Sequence, residues 1–428
     1  MQWLIVLLAA AWYAHWSNDA QRPSRPVTAI LFVTANPGRV GQIRAAPAAR
    51  QWEIRVAADR AGALEELARG PVDVVVVDVE TAGAGERLLA DVRLRHPDTI
   101  RLALLGGGGG RGVPTAAMAA HRILSVDDEP GALVGVLEEA ARLAGDLAGE
   151  QVRAEMSGLD TLIAPAPAVH RLLEVLESPR AGAGAIAVVL EGDVGLAAKI
   201  LQVANSSFYA PRARAVSLDV AVARLGAQTI RSLALMDGFA RRLDGRDPVL
   251  GRWLAAFNDH AGETARLAQR LVEPRRRADA FCAGLLHECG QLVFASCRPV
   301  VFSAHLRLQE GRPSLCGEIE PETFGVTHSR AGAYLLNLWG FPLEIVAAAA
   351  DHDGPLDDIE PRSVRGSVVL AHQLVEAERV RSCGPPGGPL SPDPATDRPP
   401  LMAEVWAWRA EYAAAGPAER PPNLLVPV

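Results

Sequence analysis

Apolar and polar positions follow two rhythms along this 428-residue chain, and the change falls near residue 157. Before it, short apolar runs alternate with segments of helical period. Ala29-Ile-Leu-Phe-Val33 is such a run; closed by Asn36-Pro-Gly38, it reads as a buried strand followed by a turn. Trp52–Ala57 reads as a second strand, Ala61–Arg69 as a helix stopped by Gly70-Pro71, and the β-branched stretch Val72–Val79 as a third strand. Arg87–Arg95, Ile100–Leu105 and Leu133–Ala144 continue the alternation. Strands and helices at this spacing predict an α/β fold, a doubly wound parallel sheet with helices on both faces.

Beyond residue 157 the helical period dominates. It marks helices at His170–Leu176, Val194–Ala204, Leu218–Leu225, Thr229–Arg242, Leu250–Val272, Ala278–Ser296, Val300–Glu310, Ser329–Leu338, Leu343–Ala350 and Ser363–Val380. No alternating run stands out as a strand, so this part is expected to be all-α. Leu133–Met156 runs without proline and predicts a connector or a dimerising helix; its alanine-rich apolar positions favour the connector. The expected division is an apolar segment and linker (1–26), an α/β domain (27–145), a helical connector (146–158), a helical domain (159–380) and a Pro-rich tail (381–428).

Composition narrows the function classes. The chain is 49% hydrophobic and 22% charged, which is globular, and its net charge is −7. The longest basic run is Arg275–Arg277, so there is no strong nucleic-acid signal. Five cysteines without paired CxxC spacing point to a reducing compartment and a cytoplasmic location. Trp3–Ala14 is apolar but shorter than a membrane span and has no basic residue before it. It reads as a signal-like segment, a surface anchor or sequence upstream of the true start, and the intracellular texture of the downstream residues favours the last. The Gly106–Gly110 run lacks the Lys-Ser/Thr of a phosphate loop and is expected to be a flexible loop.

Two constellations carry candidate chemistry. In the first, Val74-Val-Val-Val-Asp78 puts a carboxylate at the end of a parallel strand, where ligands approach such sheets. The domain resembles response-regulator receivers, and the resemblance makes Asp78 the counterpart of the phosphoacceptor. The acidic pair expected after the first strand is replaced by Thr34-Ala35, and the hydroxyl and lysine expected after the fourth and fifth strands are missing near Leu105 and Ser125-Val126. A lone carboxylate holds magnesium poorly, so the expectation is a receiver-like domain with a vestigial Asp78 that works by binding partners.

The second constellation consists of His260, His287-Glu288, His328, His352 and His372 in helical segments. Imidazole and carboxylate together suit a transition metal (iron, manganese or zinc) that activates water; the competing reading is polar groups bridging helices, with no cofactor. Four motifs occur in order around them: Gly192-Asp193 through Asn205-Ser206 to Tyr209, Ala221–Leu233 with Gly226, Phe324-Gly325-Val-Thr-His328, and Leu338-Trp339-Gly-Phe-Pro342-Leu343. Together they resemble the HDOD family over Leu159–Glu378. The resemblance implies an all-α output domain in bacterial two-component signalling, working through contacts with other signalling proteins and open to homodimer formation. It is similar to the HD-type phosphohydrolases with two departures, since the His-Asp pair reads His287-Glu288 and the later Asp falls at His372. The Gly-Tyr-Pro motif of cyclic-di-GMP phosphodiesterases is absent after Asp351-His-Asp-Gly354. The resemblance and the two departures favour a non-enzymatic regulator without a cofactor; the alternative is a metal-dependent phosphohydrolase of the cyclic-dinucleotide phosphodiesterase kind.

Overall fold

A computed structural model describes residues 28–80, 85–106, 119–146, 156, 159, 163–164, 166–177, 182–206, 209, 217–235, 241–242, 247–309, 316–356 and 359–383. The glycine run beyond Gly106, most of the connector and the Pro-rich tail from 384 lie outside the described residues. The chain divides into two compact units, residues 1–160 and 161–428.

The first unit is built on five parallel strands: β1 (Thr28–Val33), β2 (Trp52–Ala57), β3 (Val74–Asp78), β4 (Ile100–Leu105) and β5 (Arg122–Ser125). Their order, β2-β1-β3-β4-β5, is that of flavodoxin-like sheets, with the switch in strand order between β1 and β3. β3 and β4 are buried along their whole length, and they read as apolar runs broken by Arg101 in β4 and closed by Asp78 in β3, whereas the edge strand β2 is half exposed. Helix α1 (Pro37–Arg44) starts at Asn36, whose side chain accepts from the Gly38 N–H, with proline in the first turn. It packs against α4 (Pro130–Asp146) on one face. On the other face lie α2 (Arg60–Arg69) and α3 (Gly85–Arg95), joined by Arg60 Nε donating to Asp91 Oδ2 at 2.8 Å.

One core position breaks the apolar pattern. Arg101 on β4 is fully buried, and its guanidinium donates to the carbonyls of Ala119 (2.7 Å) and Thr99 (3.3 Å). A buried cation of this kind persists only where its N–H groups find acceptors.

The second unit is helical, with one correction: Ile163–Ala164 (β6) and Arg241–Arg242 (β7) form a short parallel pair where no strand is expected. The expected helix Thr229–Arg242 therefore does not reach Arg242. Its first part merges with Leu218–Leu225 into α8 (Leu218–Leu235), kinked at Gly226, where φ is +74°. The preceding helices are α5 (Ala166–Glu177), α6 (Ala183–Glu191) and α7 (Val194–Ala204), the last buried at every position. Further along the chain come α9 (Pro248–Leu271), α10 (Arg277–Leu286), α11 (Cys289–Cys297), α12 (Pro299–Gln309), α13 (Cys316–Phe324), α14 (His328–Leu338), α15 (Leu343–Asp351) and α16 (Val364–Cys383). α6 and α13 lie where no helix is expected. The expected helix Ala278–Ser296 is two helices, broken at His287-Glu288. α9, α10 and α16 pack together, as do α11 with α14 and α15 with both α14 and α16. The one described segment long and apolar enough to cross a membrane, Pro274–Cys297, is mostly buried within this bundle.

Candidate metal centre

Each histidine singled out in the helical part sits where a helix begins, ends or faces its neighbours. His260 lies about midway along α9, on the face toward α10 and α16. His287-Glu288 is the tight turn between α10 and α11. His328 is the first residue of α14, His352 follows the last turn of α15, and His372 lies in α16. The bundle brings all five rings together and buries them, with His287 and His352 at 0% exposure.

The outer nitrogens of the rings are anchored. His287 Nδ1–H donates to the Gly284 carbonyl at 2.6 Å and His352 Nδ1–H to the Ala349 carbonyl at 2.9 Å. His328 Nδ1–H donates to the buried Glu320 carboxylate at 2.8 Å, and the same carboxylate accepts the His328 backbone N–H at 2.8 Å. His260 Nδ1 faces Glu376 at 3.4 Å and His372 Nε2 faces Asp353 at 3.3 Å. Anchoring of this kind fixes the tautomer and directs the other nitrogen's lone pair inward.

The inner nitrogens converge. His260 Nε2, His287 Nε2 and His372 Nδ1 form a triangle with sides of 3.3, 3.2 and 3.1 Å. Glu288 completes that group, all four ligand atoms lying within 4.8 Å of one another. A second group consists of Glu288, His328 and His352, with the two Nε2 atoms 3.1 Å apart. Asp353, half exposed, sits against His328 Nε2 at 3.2 Å and forms a third group with His352 and His372. Two nitrogens each about 2.05 Å from one ion lie about 2.9 Å apart at a right angle and about 3.3 Å apart at the tetrahedral angle. The observed sides fall between these values. Three lone pairs cannot all be satisfied by one another at such distances, whereas a cation satisfies them together.

Charge divides the rings into neutral and protonated ones. Burial and the neighbouring histidines hold His287 well below its ordinary proton affinity, and burial takes His352 down to about 3, so both remain neutral donors. Against the cost of burial, hydrogen bonds to Asp353 and Glu320 push His328 up to about 10. Asp353 stays ionised: His328 and His372 overcome its burial and hold its carboxyl well below the usual carboxylate range. Buried imidazoles facing carboxylates carry the donor set of a borderline transition metal, and the residues present fit such an ion.

Three participating carboxylates were not among the sequence candidates. Asp353 follows His352 directly and Glu376 lies one helical turn after His372, so adjacency and i,i+4 spacing were available as signals. Glu320, eight residues before His328, has no such signal. The remaining candidates are not among the ligand groups. Asn205 ends α7 and Ser206 Oγ donates to the Val203 carbonyl at 2.7 Å. Gly226 and Gly325 have positive φ, Trp339 is buried, and Pro342 precedes the first residue of α15. In the first unit, Asp78 ends β3 and accepts from Thr34 Oγ1 at 3.2 Å.

Residues 162–355 match the family model described as the HDOD domain. An uncharacterized protein of Treponema pallidum (strain Nichols) is 26% identical over 187 residues, 42% of this chain and 36% of that protein, so the match spans about a third of the relative's length. Among solved structures, the MmoQ response regulator of Methylococcus capsulatus str. Bath is similar at 24% identity and a TM-score of 0.43, covering 53% of this chain and 90% of that one. A virulence factor of Campylobacter jejuni subsp. jejuni is similar at 18% identity and a TM-score of 0.44, covering 54% and 83%. The match to the HDOD domain model covers residues 162–355 of the helical unit, and His372 reaches the histidine cluster from beyond its C-terminal limit.

Proposed function

We propose that this protein is a cytoplasmic signalling protein whose HDOD unit holds divalent metal at two adjacent positions sharing Glu288 and hydrolyses a phosphoester there. The observation that carries this reading is the convergence of five buried imidazoles, with inner nitrogens 3.1–3.3 Å apart, around one buried carboxylate. Iron, manganese or zinc supplies the charge that lowers the proton affinity of a water and polarises a phosphoryl oxygen. The chain's own residues supply the rest. His260, His287 and His372 would hold one ion, His328 and His352 the other, and Glu288 lies within reach of both groups. Asp353, at the exposed edge beside His328, is an ionised carboxylate that could accept a hydrogen bond from an attacking water and orient it. The receiver-like unit would act on the HDOD unit through protein contacts, since Thr34-Ala35 leaves Asp78 without magnesium-binding partners. Buried Cys282 and Cys289 thiols suit a reducing compartment.

The depth of the cluster favours a second reading: with His260, His287 and His352 at 2% exposure or less, the metal is structural, and the unit is a non-enzymatic output module that binds signalling proteins. Elemental analysis of protein purified without a His tag, beside His287→Ala, tests the metal. Near-stoichiometric metal that falls in the variant by the ion His287 holds supports both readings, and its absence from both proteins refutes them as written. Hydrolysis of bis(p-nitrophenyl) phosphate by the loaded protein, abolished by Asp353→Asn with the metal retained, separates the hydrolase from the scaffold.

A further inference from the structure

We propose that Gly284, Gly290 and Gly332 are positioning residues that set the ligand spacing of the metal centre, and that they do so separately for its two halves. The inference rests on the metal-binding reading above and concerns which backbone contacts make it geometrically feasible.

Glycine inside a helix costs about 1 kcal/mol relative to alanine, so a helical glycine against another helix's backbone calls for a packing reason. Several glycines here show none: a Cβ added at Gly131, Gly135 or Gly184 would meet nothing within 4 Å. The three glycines of the cluster are different. A Cβ at Gly284, in α10, would lie 2.7 Å from Ala265 Cα and 3.0 Å from Ala265 N, so α9 and α10 touch backbone to backbone. That contact lies within one turn of His287 and five residues from His260, whose Nε2 atoms are 3.3 Å apart. The Gly284 carbonyl also accepts His287 Nδ1–H, so the same residue sets both the helix spacing and the ring orientation.

The other half is held by a second such contact. A Cβ at Gly290, two residues after Glu288, would lie 1.8 Å from the carbonyl oxygen of His328 and 2.8 Å from Gly332 N. From the opposite side, a Cβ at Gly332 would lie 2.9 Å from Gly290 N and 3.2 Å from Cys289 Sγ. The first turns of α11 and α14 are thus pressed together where Glu288 and His328 must share an ion. Ordinary Cβ contacts begin at 3.4 Å, so an alanine at 290 demands a separation of roughly 1.6 Å from the 1.8 Å approach. Metal–ligand distances tolerate only about 0.2 Å. Displacing α14 moves His328 away from Glu288 and His352. His260, His287 and His372 lie on α9, at the end of α10 and on α16, outside that contact.

The test is titration of the full-length, metal-free protein with Co²⁺ alone. Visible absorbance and equilibrium dialysis count and rank the bound ions, and far-UV circular dichroism of each variant monitors folding. Wild type is expected to bind two ions. Gly332→Ala, the milder change, should weaken one of them by about tenfold or more and leave the other at wild-type affinity. Gly290→Ala should abolish that same ion, and Gly284→Ala should weaken the opposite one. His328→Ala and His260→Ala identify which spectrum belongs to which half. Folded Gly332→Ala and Gly284→Ala proteins that bind both ions as wild type does would overturn the proposal, as would variants that lose both ions together. Wild type that binds no cobalt overturns the metal reading and this inference with it, whereas two ions unaffected by any glycine change overturn the inference alone.

Discussion

Replacing Asp193 with asparagine should reduce the pH dependence of the helical unit's stability between about pH 4 and pH 7. Asp193 caps α7: its Oδ1 accepts the Leu196 N–H at 2.8 Å, and the residue is 1% exposed. Burial pushes its carboxyl up from 3.8 to about 7, against the downward pull of the Leu196 and Gly195 N–H groups and of Asn258. A raised carboxyl binds its proton more tightly in the folded state than in the unfolded one. Its contribution to stability is therefore complete below about pH 4 and is lost as pH rises through about 7. From 3.8 to about 7, at about 1.4 kcal/mol per tenfold change in proton affinity, the loss is of the order of 4 kcal/mol. That is a large part of the 5–15 kcal/mol, roughly, that stabilises a domain. Asparagine caps a helix about as well as aspartate but carries no titrating proton. Glu191 is also raised to about 7, by burial and by Asp219, and titrates in the same window in both proteins, so the difference between them isolates Asp193. Urea unfolding followed by far-UV circular dichroism at about pH 4 and pH 8 provides the measurement. Wild type should lose at least about 2 kcal/mol more than Asp193→Asn over that interval. Parallel pH dependences would refute the argument that burial holds the proton on this cap.

Other expectations come from the same geometry. Glu320→Gln removes the charge that anchors His328 Nδ1–H; metal affinity should fall by roughly 10- to 100-fold, and the His328 ring of the metal-free protein should titrate well below about 10 by NMR. Because metal must expel the proton that His328 holds, apparent affinity at that position should weaken by up to about tenfold for each unit of pH lowered below 10, measured by competition with a chelator of known pH dependence. Asp78→Ala should leave signalling unchanged, and wild type incubated with acetyl phosphate and magnesium should show no stable acyl phosphate by mass spectrometry. Arg101→Ala strands the Ala119 and Thr99 carbonyls and leaves a cavity under β4, and should cost about 3 kcal/mol or more of the first unit's stability by denaturant unfolding.

The elements that the sequence displayed most clearly are those whose burial is set by one neighbour layer or by local capping. The run Val74–Asp78 reads as a strand because both faces of β3 are covered, so nothing polar interrupts it. Val194–Ala204 is bounded as expected because Asp193 caps one end and Asn205 ends the other, both local events. The histidines stood out because a rare, costly side chain at buried helical positions is conspicuous in a one-dimensional pattern.

What the sequence could not display depends on contacts between distant segments. Ala278–Ser296 carries no proline and keeps a helical period throughout, yet it breaks at His287-Glu288, just before α11 meets α14 through Gly290 and Gly332. That break turns His287 and Glu288 toward the centre together. Glu320 was invisible as a participant because its role, anchoring the His328 ring, arises only when α13 folds back onto the start of α14. The sequence by itself determined the two kinds of unit, the parallel strands and most helices, and which imidazoles were available, since period and capping are properties of neighbouring residues. Only the tertiary structure decided which nitrogens meet, at what distance and with which carboxylates behind them, because ligand geometry is a sum of helix-to-helix spacings that no local pattern encodes.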